Sequence, residues 1–465
     1  MQKKWFLAGA LTHVAAFCCL SAANLALAQT SELPLATVES AAPGQPMALA
    51  LKPRETWNAF GQFTLVAQTH GKFNSPYAGE NSLYAGRSTK ETTDLTAFLG
   101  ARLWPGAELY LNPEIDQGFG LSNTVGVAGF PSGEAYKVGR AQPYFRLSRA
   151  FVRQVIDLGG ETVQVDSAAN ALATSRSQDN ITVTLGKFSV VDLFDNNIYA
   201  HDPRTDFLNW SVIDAGAFDY AADAWGYTYG AAVEWTQRWW TVRVGAFALS
   251  TVPNSEKLDR SFRQYSWVGE LEARHEILGQ AGKLKLLAYV NRGRMASYDE
   301  AVRLGQTNST APDAVLARRV ASRPGVAVNA EQAISTDVGV FARASANDGS
   351  KEAFEFTEIN KSFSAGASVK GGPWHRPGDT VGVAIAVNAL SSAARRYFAA
   401  GGLGILIGDG RLPHYGREKI IEADYNAKLT DAISVALDFQ RIIQPAYNRD
   451  RGPVSIFGLR LHAGF

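Results

Sequence analysis

The chain has 465 residues, 46% hydrophobic and 19% charged, with 24 Phe, 16 Tyr, 10 Trp and 43 Gly against 18 Pro. That mixture excludes a disordered, collagenous or coiled-coil polypeptide. Lys plus Arg number 45 and Asp plus Glu 44, a balance that offers no basic field for nucleic acid; the only cysteines, Cys18 and Cys19, lie near the N-terminus, which excludes thiolate metal and redox chemistry elsewhere.

Lys3 and Lys4 precede an apolar run from Trp5 to Leu20, and Ala26-Leu27-Ala28 has the small-x-small pattern of a cleavage site before Gln29. Residues 1–28 therefore read as a signal peptide. Its removal takes two lysines and no acids, leaving 43 basic against 44 acidic residues. Phe17 before Cys18 is the wrong neighbour for lipid attachment. No later segment offers 18 uninterrupted apolar residues, so the exported chain is either soluble or a β-barrel. Residues 29–56, rich in Ala, Pro and Ser, form an aperiodic, flexible periplasmic lead-in.

From Trp57 the pattern becomes strict alternation. Leu95, Ala97, Leu99, Ala101 and Leu103 oppose Asp94, Thr96 and Arg102. After Pro105-Gly106, Leu109, Leu111 and Ile115 oppose Glu108, Tyr110, Glu114 and Asp116. The same period of two recurs to the C-terminus and predicts about sixteen strands: 57–69, 92–104, 107–117, 143–157, 180–188, 225–236, 239–250, 264–276, 282–292, 323–333, 338–346, 354–370, 380–390, 418–429, 433–443 and 454–465. Connections after even strands are mostly short, 158–179 being an exception, and those after odd strands are long. A soluble sandwich would need its second face partly apolar for inter-sheet packing. Here that face is charged on strand after strand, as suits an all-β, transmembrane antiparallel barrel over 57–465 with a water-filled lumen. The last strand, with Phe457, Leu459, Leu461, Ala463 and Phe465 at alternate positions, ends on an aromatic residue and resembles the signal read by the outer-membrane barrel assembly machinery.

The words of the sequence resemble a known family. Glu91-Thr92-Thr93-Asp94-Leu95, Leu103-Trp104-Pro105-Gly106-Ala107-Glu108-Leu109-Tyr110 and Asn112-Pro113-Glu114 are similar to the carbohydrate-selective porins of Gram-negative bacteria, the OprB-like family. So are Phe194-Asp195-Asn196-Asn197, His201-Asp202-Pro203-Arg204-Thr205, Phe207-Leu208-Asn209-Trp210 and the closing Pro445-Ala446-Tyr447-Asn448-Arg449-Asp450. The resemblance implies a sixteen-stranded, monomeric outer-membrane channel that passes monosaccharides and related polyols down their gradient, without a cofactor. A general, non-selective pore, a closed structural barrel and a barrel hydrolase are the alternative readings. Neither an H-E-x-x-H nor a G-x-S-x-G motif occurs, and Gly401 to Gly410 lacks the Lys-Ser/Thr of a phosphate loop.

A neutral, hydroxyl-covered solute calls for paired donors and acceptors beside aromatic surfaces. On the strands, the candidates for its path are Arg102, Glu108, Glu114, Asp116, Arg149 and Arg153, the last two flanking Phe151 on one face. The segment 189–224 mixes Asp195, Asn196, Asn197, Asp202 and Arg204 with Trp210 and other aromatics. A connection of that length is usually functional, and it is expected to fold into the pore and constrict it.

Overall fold

The structure, a computed structural model, describes residues 54–135 and 138–465; the expected signal peptide and all of the lead-in before residue 54 lie outside the described residues. Sixteen strands are found among them: β1 (Trp57–His70), β2 (Ser88–Trp104), β3 (Ala107–Gly118), β4 (Arg140–Val165), β5 (Thr174–Phe188), β6 (Thr228–Gln237), β7 (Trp240–Ala248) and β8 (Tyr265–Ile277) in the first half. The second half supplies β9 (Gln280–Ala296), β10 (Arg318–Ala333), β11 (Val338–Asn347), β12 (Lys361–Gly371), β13 (Arg376–Ala389), β14 (Glu418–Lys428), β15 (Ile433–Ile443) and β16 (Val454–Gly464). Each strand pairs with its sequence neighbours, and antiparallel pairing of β1 with β16, from Gln62 opposite Gly464 to His70 opposite Ile456, closes the ring. Closure removes every free edge, so the backbone N–H and C=O groups of the wall are satisfied within the sheet. No helix among the described residues is long and apolar enough to cross a membrane.

The burial pattern of the wall is inverted relative to a soluble protein. Leu185, Val233, Leu271, Leu286, Val328, Ile385 and Leu437 are exposed on the outside, whereas Arg243, Glu270, Lys285, Arg323, Arg343, Glu422 and Arg460 are buried within. Alternation along each strand produces both sets at once, because neighbouring side chains point to opposite faces. An apolar exterior meets lipid, and a charged interior is affordable only where the charges find partners. Trp57, Trp104 and Phe465 are exposed at strand ends on the side of the termini, where an aromatic girdle belongs.

On that side the connections are tight: 105–106, 238–239 and 278–279 have two residues each. Gly106 has φ +80°, and a Cβ there would stand 2.3 Å from the carbonyl oxygen of Val155, so only glycine serves. On the other side run the long connections 119–139, 189–227, 297–317 and 390–417.

Most strands lie within about five residues of the expected bounds, and three depart further. The strand expected from 354 begins only at Lys361, because Phe354, Phe356 and Ile359 turn into the lumen packing while the Glu355 and Glu358 carboxylates accept backbone N–H groups of Ser250 and of Leu406. Its alternation reflects packing, not pairing. Conversely, β4 and β5 run on through much of the expected connection 158–179, paired out to Val165 opposite Thr174.

Leu286, outward-facing in mid-strand, tests the lipid-facing wall. Leu286→Lys should destabilise the barrel in lipid by about 2–4 kcal/mol, read from denaturant unfolding in vesicles.

Candidate functional site

A β-bulge sets the chemistry of one wall of the lumen. Asn112 pairs with Arg149 but Pro113 with Leu147, so Ser148 is the extra residue on β4; its hydroxyl donates to the Asn112 carbonyl at 2.9 Å. The bulge flips the parity of β4. Tyr144 and Arg146 before it, and Arg149, Phe151 and Arg153 after it, all reach the lumen, while Phe145 and Leu147 stay exposed outside. Arg146 bridges the carboxylates of Glu114 and Asp116 and lies over the rings of Tyr227 and Trp225 at 4.9 and 5.8 Å. Arg149 binds Asp192 through two hydrogen bonds of 2.8 and 2.6 Å, also over Tyr227. Arg153 stacks over Tyr110 and Phe151.

The connection 189–227 lies against lumen-facing side chains of the opposite wall. Asp195 pairs with Arg343 at 3.2 Å, both fully buried, and accepts the Asn329 amide at 2.7 Å. Asn197 donates to Asn329 at 2.8 Å, and Lys285 donates to Asn196. Glu422 accepts the backbone N–H groups of Leu208 and Asn209 at 2.6 and 3.1 Å; Arg460 donates to the carbonyls of Pro203, Thr205 and Asp206 at 2.6–3.0 Å. Beyond the one-turn helix Trp210–Ile213, the segment has little regular structure of its own, so wall side chains take up backbone groups that would otherwise be buried unpaired.

Between this segment and β4 lies a cavity of about 430 Å³, within the range of about 300–1,000 Å³ usual for small-molecule sites. Arg149, Arg153, Asp192, Asp202 and Arg204 supply charge, Asp214 a buried carboxyl, and Trp210, Tyr220, Tyr227 and Phe356 supply rings. Arg204 stands 3.4 Å from Glu134, 3.6 Å from Asp94 and 3.8 Å from Asp202. Trp210 is stacked between Phe130 and Phe356, with centroids 4.9 and 4.7 Å away. Burial, with the Asp195 carboxylate adding to it, pushes the Asp214 carboxyl up to about 8.

The tip of the β4–β5 hairpin bounds the cavity from the side of the termini. Gly159 and Gly160, both at positive φ, bend the hairpin, and Ala169 and Asn170 line the cavity, with the Asn170 carbonyl accepting from Arg153 at 2.9 Å. Glu55 fastens this tip, accepting the Ala173 N–H at 2.7 Å and the Ser167 hydroxyl at 3.0 Å. A second cavity, of about 610 Å³, opens near the turns of β9–β14 and is lined by Ile198, Tyr199 and Thr205–Phe207. Since His201–Arg204 line the first, the stretch 198–207 lines both.

Of the residues singled out from sequence, Arg149, Arg153, Asp202, Arg204 and Trp210 meet at the first cavity. Arg102 and Glu108 pair with each other at 3.1 Å and line a smaller space nearer the termini. Glu114 and Asp116 are held in the wall by Arg146, and Asp195, Asn196 and Asn197 face the opposite wall as anchors. Sequence reading passed over Arg146, Glu134, Tyr227 and Phe356. Only Arg146 left a signal: Phe145 and Leu147 alternate in one parity and Ala150 and Val152 in the other.

A closed ring of sixteen strands, a charged lumen and an inward-folded connection describe a channel. The model of the carbohydrate-selective porin, OprB family, matches residues 81–465. The chain belongs to this family. Among solved structures, that of Pseudomonas putida OprB at high pH is similar with a TM-score of 0.66 at 16% identity, covering 88% of this chain and 94% of that one. The low-pH structure of P. putida OprB gives 0.47 at 13% identity, covering 88% and 93%, and the outer-membrane channel DcaP of Acinetobacter baumannii 0.48 at 10%, covering 88% and 97%. Among curated proteins the chain has no match. The porin is thus a carbohydrate-selective outer-membrane channel; its family and fold are those of channels, not of enzymes.

Two outcomes follow from the anchoring and from the buried acid. Arg343→Ala leaves Asp195 buried without its cation, a loss of about 3–5 kcal/mol for a buried pair; amide exchange in 193–215 should accelerate and single-channel conductance rise. A carboxyl with a raised pKa is neutral below that value and anionic above it. Taking the pH from roughly 6.5 to roughly 9.5 should therefore add a negative charge to the cavity that Arg149 also lines and raise cation over anion permeability in planar bilayers, a step that Asp214→Asn makes smaller.

Proposed function

We propose that this porin carries monosaccharides and related polyols passively into the periplasm, and that the first cavity is the point of selection. The observation that carries the reading is the convergence of the Arg149–Asp192 pair, the Arg204 carboxylate cluster and Trp210 on one space of about 430 Å³. Paired ions present donors and acceptors together while cancelling net charge, which suits a neutral polyol better than an ion. Aromatic side chains beside these ions, Trp210 and Tyr227 among them, add apolar surface to the cavity. Solute in this reading passes along the stretch 198–207, which lines both cavities. In this reading residues 1–28 are removed by cleavage near Ala28 and residues 29–56 form a periplasmic lead-in. The mature chain is a monomer in the outer membrane of a Gram-negative bacterium, inserted by the assembly machinery through the strand ending at Phe465.

Liposome swelling tests this. Vesicles bearing the refolded mature protein should admit glucose and other monosaccharides faster than amino acids and salts of similar size. Equal rates for all solutes would make it a general pore; no swelling would restore the closed-barrel reading. Arg149→Ala and Arg204→Ala should each weaken the half-saturating glucose concentration by about tenfold, the scale of one hydrogen bond to a charged group.

A further inference from the structure

The outside of the wall carries a patch that the transport path does not use. On β8 the outward residues nearest the long connections are Trp267 and Tyr265; on β9 they are Arg292 and Arg294; on β10, Ser322 and Val320. Tyr265, Arg292 and Ser322 stand side by side in one row of the sheet, as do Trp267, Val290 and Pro324 in the next. Arg263, exposed, lies two residues before Tyr265. Beyond β8, Arg260 lies 4.9 Å over the ring of Tyr229 on β6.

Depth places these arginines. The outward residues of β9 from Leu284 through Leu286 and Ala288 to Val290 are apolar. A tilted strand crosses an apolar band about 25 Å tall in about ten residues. Counted from the turn at 278–279, that crossing ends near Val290, so Arg292 and Arg294 sit at its far edge. Trp267, half exposed, and Tyr265 mark the same level as interfacial aromatics.

Their charges are not met by the protein. Among the described residues, Arg292 donates to the Ser322 hydroxyl at 3.1 Å, and no carboxylate within ion-pair distance is found for Arg263, Arg292 or Arg294. Their neighbours on the same rim differ: Arg303 and Arg319 share Glu300, and Arg318 takes Glu352. The nearby Asp259 carboxylate is occupied by Ser261 and the Gln264 N–H. Guanidinium groups on the lipid side of a barrel, unpaired and beside aromatic rings, fit a phosphate held bidentately.

We propose that Arg263, Arg292 and Arg294 bind the phosphate groups of lipid A, the phosphorylated glycolipid of the outer leaflet, on the long-connection rim of β8–β10. Phosphates supply the missing anions, and the acyl chains continue down the apolar face formed by Trp267, Leu271, Leu286 and Val328. The inference rests on the outer-membrane location of the family and not on the choice of solute.

Native mass spectrometry of the detergent-solubilised barrel, titrated with diphosphoryl lipid A, monophosphoryl lipid A or phosphatidylcholine, tests it. The expected result is retention of diphosphoryl lipid A at least about tenfold tighter than of phosphatidylcholine. The Arg263→Gln/Arg292→Gln/Arg294→Gln variant should lose about tenfold in that affinity, with conductance and glucose swelling unchanged, since none of the three lines either cavity. An Arg→Lys triple variant, which keeps the charge, should retain part of the binding. Equal affinity of the folded Gln variant and the wild type, or equal retention of lipid A and phosphatidylcholine, overturns the proposal. Should the Gln variant fail to fold, a Lys variant that holds diphosphoryl lipid A more weakly than the wild type does, yet more tightly than it holds phosphatidylcholine, supports bidentate recognition, and one that matches the wild type overturns it.

Discussion

The constraint on which everything else depends is that a wall facing lipid must satisfy its own backbone. Only closure does this for a sheet, and closure here is the β1–β16 ladder, completed where Gly61 and Phe465 exchange hydrogen bonds of 2.6 and 2.9 Å. A Cβ on Gly61 would collide with the Phe465 ring at 2.4 Å, so the last residue seals the ring against a position without a side chain. Closure with antiparallel neighbours fixes an even strand number and divides the side chains into a lipid set and a lumen set. The lumen set must then be polar enough for water or paired enough to stay dry.

This barrel takes the second course over part of its interior. Arg343, Arg460, Glu422 and Lys285 are buried in the wall, and their partners are largely groups of one inward-folded connection. Each such charge therefore does two things: it satisfies its own hydrogen bonds, and it holds an irregular backbone at a defined place in the lumen. The Asp195–Arg343 pair is the clearest instance, with neither side chain more than 1% exposed. These anchors place 198–207 inside the lumen, where it lines both cavities.

How much of this was legible from residues depends on range. Alternation located nearly every strand, because the period of two is a local consequence of pleated backbone against two different media. It failed at 354–360, where Phe354 and Phe356 alternate for packing against Trp210 and its neighbours without a partner strand, and at 158–165, where Gly159 and Gly160 mask pairing as a loop. Among the site residues, Arg149, Arg153, Asp202, Arg204 and Trp210 were picked from chemistry and do converge. Asp195, Asn196 and Asn197 looked the same on paper, yet they face the wall opposite the cavity.

The sequence by itself determined the closed all-β architecture, its charged interior and apolar exterior, and the family to which the chain belongs, since each is written in local periodicity or in contiguous words. Tertiary structure alone decided which charges anchor and which line the cavity. A single bulged residue, Ser148, reverses the face of half a strand and brings Arg146 and Arg149 to the same side, and pairs such as Asp195 with Arg343 join residues 148 apart. Such choices depend on register and on contacts across the lumen, where a shift of one position exchanges inside for outside.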